Sequence, residues 1–596
     1  MRDSTTTEPA TSFTPERLRL AGFGALAGLC GWLLTDVLAE DLGGTRLHLL
    51  LTVLAGVFFA DALAMAGQMR ARAAVAGAAL VALPVAGLAL WASTRFDTVE
   101  EMLRSPHQIL AGLLLAALPV PFLIARGTGI GTGWRDYPAL FLAAWNIVVR
   151  YAAAWLFTGV VWAVVFLSDT LLSLVGITII DWLIDEVALV PWVLTGAALG
   201  LGLAVVAELA ELVSPYLVLR LLRLLLPPLL AVMVVFVAAL PFRGLSGLFG
   251  SYSAAATLMA IAMGGVSLIS IVVDQSQAEA ARSPLMRAAA RGTALLLPVL
   301  AGLALWAVLL RVGQYGLTPE RVAGGVAGLV VLGYALLYAL SVLAGRAAWM
   351  DRIRQANIAM ALAVMAAAAL WLTPLLNAEA LSARDQLARF QDGRLSVVQL
   401  PLREMRWDWG RPGAAALAEL GAITGHPDQA ALDARLADAL SSTERYASYT
   451  EPAGAPTMDA LRASLTVLPA GREAPDWVLG GLRQWETDSW LDSCARSDEA
   501  GRPGCVLVIG DFLTTAPGEE ALLFLHGGGD SVIRQGFISS RGTDFRASAI
   551  FVAPSAEDPG ARALFAALHS GEFSIGPTSV SALHVGAAEV LLMPWP

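Results

Sequence analysis

The chain contains no lysine. All 39 of its basic residues are arginine; beside abundant alanine and glycine, this reflects coding bias and not chemistry. Charge of either sign is scarce, at 15% of residues against 57% hydrophobic. Three cysteines are too few for a disulfide framework or a zinc ribbon, and none stands in C-x-x-C spacing. The six histidines are scattered, without H-E-x-x-H or paired spacing, so no metal site is expected. The glycines between 127 and 133 follow no strand and precede no G-K-[ST], which removes a nucleotide loop. His526-Gly527-Gly528-Gly529 has the form of a lipase oxyanion loop, yet no G-x-S-x-G follows it, and a Gly-rich hairpin accounts for it. Asp511 to Glu520 lacks the alternating Asp/Asn of a calcium loop. No cofactor and no catalytic residue is assigned.

What the chain has instead is long apolar runs and a mean hydropathy of +0.66. About 20 apolar residues cover the roughly 30 Å hydrocarbon core of a bilayer. Eleven segments meet that length: 20–38, 47–67, 73–93, 108–125, 152–173, 190–209, 224–240, 255–273, 293–310, 322–345 and 356–375. Inside lipid each must satisfy its own backbone polar groups, which predicts helices. With the N-terminus in the cytoplasm, 16 arginines fall in cytoplasmic segments and 6 in the opposite loops. An odd number of spans then exports the C-terminus of a bacterial inner-membrane protein. Val37-Leu38-Ala39 before Glu40 has the small-residue form of a leader cleavage site, but Asp36 interrupts it and ten further spans follow.

The expected fold is a polytopic α-helical membrane protein with a C-terminal α+β soluble domain. Residues 1–19 form a cytoplasmic segment, 20–375 the membrane domain and 376–596 the extracytoplasmic part, with a division near 450–457. The abrupt change from NIAMALAVMAAAALWLTPLL to NAEALSARDQLARFQDGR marks the junction. From Leu376 onward 28 acidic residues face 17 arginines, which excludes nucleic acid as a partner. Helices are expected at 414–424, 428–446 and 561–569, and strands at 505–511, 520–526, 532–539, 547–552 and 583–593. Trp134, Arg135, Asp136 and Tyr137 open a stretch whose aromatic rings and arginines suit the headgroup level, so an interfacial helix leads into the fifth span. A second amphipathic strip runs over 177–190 on the opposite side.

Several residues are candidates for function. Asp61 lies inside the second span, where an ionisable side chain marks an ion or proton path unless it pairs near the cytoplasmic end. Asp36, Glu40, Asp41, Asp169, Asp181, Asp185 and Glu186 fall at the outer face. They would make a cation-attracting vestibule or an acidic catalytic group, or they gather there only because arginine is kept inside. A transferase acting on lipid-linked substrates needs such acids, but the first outer loop, about eight residues, is short for an active site. Cys494 and Cys505 would close a small ring worth roughly 3 kcal/mol in an exported domain.

Four blocks carry a resemblance: Trp134-Arg135-Asp136-Tyr137, the LLRLLLPPLL run, Gln314 to Arg321 (QYGLTPER), and the junction from Thr373 to Arg394. Together they resemble the bacterial membrane family catalogued as domain of unknown function 4153, over residues 130 to 415. The resemblance implies an integral membrane protein and brings no activity, substrate or catalytic residue. Three functions remain open: an envelope scaffold or sensor whose exported part binds a protein partner or ligand, a transporter, and a transferase. The bilayer is the one partner the sequence requires.

Overall fold

The computed structural model describes residues 15–127, 133–208, 215–243, 252–345, 348–441, 455–479, 482, 484–496, 501–512, 519–528, 531–540, 543–547, 561–575, 582–585 and 588–591. The expected division near 450–457 falls mainly outside them. Among the described residues, eleven helices are long and apolar enough to cross a membrane: Pro15–Val37, Arg46–Met65, Ala71–Ser93, Pro106–Gly127, Tyr137–Ser173, Leu189–Ala207, Leu219–Leu240, Ala254–Val273, Pro284–Tyr315, Pro319–Ala344 and Trp349–Leu372. They coincide in number and order with the apolar runs of the sequence.

Two of them are longer than a bilayer needs. Tyr137–Ser173 has 37 residues, about 55 Å of helix, so the expected interfacial helix and the fifth span form one continuous element. A proline at its second position starts it without breaking it. Elsewhere proline does interrupt: Pro119 and Pro121 divide the fourth span into Pro106–Ala117 and Pro119–Gly127. Pro84 and Pro298 are accommodated inside their helices.

Small residues set the closest helix pair. Gly24 and Gly28 of the first span meet Gly196, Gly200 and the Trp192 carbonyl of the sixth so closely that an added Cβ would collide with backbone atoms. Helices in lipid associate through such close packing, because apolar burial alone gives little preference between a neighbour and a lipid tail. The largest buried cluster lies among the last five spans, where Ala294, Leu297, Tyr338 and Ile353 are almost wholly enclosed.

After the eleventh span the chain does not leave the bundle. Helices Ala378–Gln391, Leu402–Trp407, Gly410–Gly421 and Gln429–Ser441 pack as a cap around Phe390, Trp409, Leu417, Leu420 and Leu432. The first cap helix is docked on the turn between the ninth and tenth spans. Leu317 N donates to Asp385 Oδ2 (2.6 Å), and Gln386 Nε2 donates to the Tyr315 and Leu317 carbonyls (2.9 Å each). Arg389 donates to the Val312 and Gly313 carbonyls at 2.9 and 3.0 Å, capping the exposed end of the ninth span. Gly316 makes this approach possible: its φ is +78° and an added Cβ would press on Gln386 Nε2. The cap and spans form one compact unit, Met1–Arg445; the other is Tyr446–Pro596. The composition changes at 375/376, whereas the contacts divide at Arg445/Tyr446.

The second unit is α+β. Its sheet has the order β1 (Thr466–Leu468), β2 (Cys505–Gly510), β3 (Glu520–Gly528), β4 (Ser531–Ser540), β5 (Thr543–Ala547), with β1 parallel to β2 and the rest antiparallel. β2 is buried on both faces, as its unbroken CVLVI run requires. Cys505, Leu507 and Ile509 join Leu461, Val478 and Trp490, while Val506 and Val508 meet Phe565 and Leu568 of helix Ala561–Ser570. Of the strand expected at 547–552 only Ala547 is described, as part of β5; 548–552 lie outside the described residues. Over the strand expected at 583–593 the described residues form two antiparallel strands, Ala582–Val585 and Ala588–Leu591; residues 586, 587, 592 and 593 lie outside the described residues.

Candidate functional site

A cluster of buried charge lies where the cap meets the membrane helices. Asn377 caps helix Ala378–Gln391 through Oδ1, which accepts from Ala380 N at 3.0 Å. Glu379 therefore sits in the first turn, at the positive end of the helix dipole. Its side chain is fully buried. Gln108 Nε2 donates to its Oε1 at 3.1 Å, His107 Nε2 lies 3.5 Å from the same oxygen, and Arg95 Nη1 lies 3.6 Å from Oε2. Burial pushes the Glu379 carboxyl up; the His107 ring, its own backbone N–H and the Arg95 charge outweigh that and hold it below the ordinary value. Arg95 is itself buried and donates to the Trp371 carbonyl at 2.9 Å and the Thr373 carbonyl at 2.5 Å. It thus closes the end of the eleventh span. Arg411 N donates to the Arg95 carbonyl at 2.9 Å, tying the cap to the same loop.

Beside this cluster a cavity of about 420 Å³ begins at His107 and Trp371. It runs between the fourth, tenth and eleventh spans, along Leu110, Leu114 and Leu118, then Val326, Val330 and Tyr334, then Ala361, Val364 and Ala368. Met263 of the eighth span completes the wall. The His107 and Trp371 rings meet edge to face at 5.3 Å. Trp371 is 4% exposed, and its indole Nε1 has no hydrogen-bond partner in the protein. A buried donor left unsatisfied costs about 1–3 kcal/mol, and here the indole nitrogen is enclosed by protein atoms. The arrangement provides a neutralised ion pair beside an apolar slot, which suits binding.

The residues singled out from the sequence are dispersed. Asp61 is 5% exposed, one turn from the end of its helix, and its Oδ2 has no hydrogen-bond partner. Next to it Tyr151 Oη donates to the Ala60 carbonyl at 2.6 Å. Asp36 and Asp41 are exposed, at the π-helical turn Leu33–Val37 and the short helix Leu38–Leu42, which also holds Glu40. Asp181, Asp185 and Glu186 are exposed on and just after helix Ile179–Asp185, and Asp169 is half-buried on the fifth span. Among the described residues no group of three or more His, Cys, Asp or Glu is placed to hold a metal.

The Trp134-Arg135-Asp136-Tyr137 block divides in two. Arg135 stacks over the exposed Trp134 ring at 4.6 Å, and Asp136 occupies the cap position of the following helix without a side-chain cap bond. Tyr137 turns inward, where Asn357 Nδ2 donates to its Oη at 2.9 Å. Tyr338 Oη donates to Asn357 Oδ1 at 2.5 Å, and Ser270 lies within reach of both. Cys494 and Cys505 are joined by a disulfide that ties helix Gln484–Ala495 to β2. His526 stacks on Phe565 (5.8 Å) near a register shift in the β3–β4 hairpin.

His107, Gln108 and Glu379 were not legible as a site. Arg95 counted only as a loop charge and Glu379 only as part of the junction. The local hints were an Asn cap followed by an acid just past a span, and a histidine at the edge of another. Their meeting depends on contacts across most of the membrane domain. Eleven membrane-length helices make the chain an integral multi-pass membrane protein. No protein-family model, curated protein or solved structure matches it.

Proposed function

We propose that the protein is a scaffold or sensor of the bacterial inner membrane, with its N-terminus in the cytoplasm and its cap and C-terminal α+β unit outside, where they bind an envelope partner or ligand. The observation that carries this reading is the docking of the cap: Glu379, Asp385, Gln386 and Arg389 engage the Arg95 loop, the fourth span and the turn at Tyr315–Leu317. A body held by buried polar contacts moves with the helices beneath it, as a sensor or scaffold requires. The arginine asymmetry and the odd number of spans support the orientation. A disulfide in the second unit suits an oxidising compartment. The resemblance to domain of unknown function 4153 is consistent with a bacterial membrane protein and supplies no activity.

Both native cysteines of the disulfide are buried, so orientation is tested with exposed positions instead. Val398→Cys in the cap should react with a membrane-impermeant thiol reagent in intact cells, and Arg352→Cys only after permeabilisation. The reverse pattern overturns the orientation. The buried, unpaired Oδ2 of Asp61 favours a transporter as the second reading. Solute flux in proteoliposomes that Asp61→Asn abolishes would replace the scaffold with it.

A further inference from the structure

We infer that the cavity beside His107 and Trp371 holds one acyl chain of a membrane lipid, with its ester at the level of those two rings. This goes beyond the scaffold reading and is independent of which side the cap faces.

Depth is the first argument. His107 and Leu118 line the two ends of the fourth-span wall, eleven residues apart, about 16 Å along a helix. That is close to half of the roughly 30 Å hydrocarbon core, the depth of a single leaflet. His107 and Trp371 stand at helix ends, at the level where lipid esters lie and where tryptophan is enriched.

Shape and chemistry agree with the depth. Ala323, Ala327, Ala361, Ala367 and Ala368 leave the slot between helices whose other wall residues are mainly branched or aromatic. The polar groups of its wall are His107 and Trp371 at the mouth and Tyr334 at depth. The charge at the mouth selects the head. Arg95 is already neutralised by Glu379, and a second anion beside that carboxylate would be repelled. An uncharged acceptor is favoured over a free carboxylate or a phosphate, which points to the ester of an intact lipid and against a fatty acid.

The test uses the full chain reconstituted in nanodiscs containing phosphatidylglycerol with a diazirine midway along one acyl chain. After photolysis, peptide mapping should place adducts on wall residues such as Leu114, Val330 and Val364. Ala327→Trp and Ala367→Trp fill the slot from two different helices, and each should reduce those adducts at least about tenfold. A melting curve confirms that each variant is folded, and the two fillers make the result independent of either one. Adducts spread over the outside of the bundle, unchanged by both fillers, overturn the proposal and show boundary lipid only. Stronger labelling by a fatty acid carrying the same diazirine overturns the ester assignment.

Discussion

Gln108 donates to Glu379 across 271 residues of chain, at 3.1 Å, in a site from which solvent is excluded. The same carboxylate faces Arg95, whose other nitrogen holds the last carbonyls of the eleventh span. One acid therefore neutralises a buried cation, anchors the fourth span and starts the first cap helix.

Removing that acid alone should be expensive. Glu379→Leu leaves Arg95 buried without a counter-charge, a loss of about 3–5 kcal/mol. Adding Arg95→Met should recover part of it, but not all, because the Trp371 and Thr373 carbonyls then lose their donor. Denaturation of the purified protein in detergent checks this. A double variant as unstable as the sum of the two singles would show that the charges are not coupled.

Acid should loosen the cap. The Glu379 carboxyl is held low in the folded protein, so the unfolded chain binds its proton first as pH falls. Its contribution is fully present above the unfolded value, about 4.3, and is lost as pH drops through the folded value. Glu379→Gln removes this dependence. The gap in melting temperature between wild type and variant should therefore narrow below about pH 4.3; a constant gap would contradict the assignment.

Arg389→Ala removes two charged hydrogen bonds to the end of the ninth span and should release the first cap helix at a cost of about 2–3 kcal/mol. Gly316→Ala should act in the same direction, through its positive φ and its pressure on Gln386. Faster hydrogen exchange across 378–391 is the expected signature, with the second unit unaffected.

Gly196→Leu should separate the first and sixth spans. The obstacle to a side chain there is backbone of Gly24 and Gly28, which no rotamer change relieves, so a loss of about 3 kcal/mol or more is expected. Gly56→Leu, at a position with open space around its Cβ, is the control and should leave the melting temperature unchanged.

Reduction of Cys494–Cys505 acts on a short loop, and Cys494→Ser should destabilise the second unit by about 2–4 kcal/mol. A reductant should lower the wild-type transition to that of the variant and leave the variant where it is.

Much of the architecture was legible because it is written in local composition. A run such as LTVLAGVFFADALAM has one stable form in lipid, and eleven such runs became eleven helices in the expected order. The short apolar runs within Cys505 to Gly510 and Glu520 to Gly528 likewise announced strands, being too short for helices. The interfacial stretch from Trp134 was read as separate from its span because aromatic and charged residues mark the headgroup level; in the folded protein a single helix runs through that level.

The candidate site was not written locally. Asp61 drew attention because a charge in an apolar run is conspicuous, and the outer acids because they share a side; the structure leaves both without a common cavity. Glu379 is one acid in an acid-rich segment and His107 a lone histidine. Composition determined that this chain crosses a membrane and how often, because burying an apolar segment in lipid depends on that segment alone. Which charges become buried, and which helices leave an apolar slot between them, was decided only by packing. An ion pair and a cavity wall are properties of residues far apart in sequence: docking of the cap completes the first, and packing of the spans makes the second.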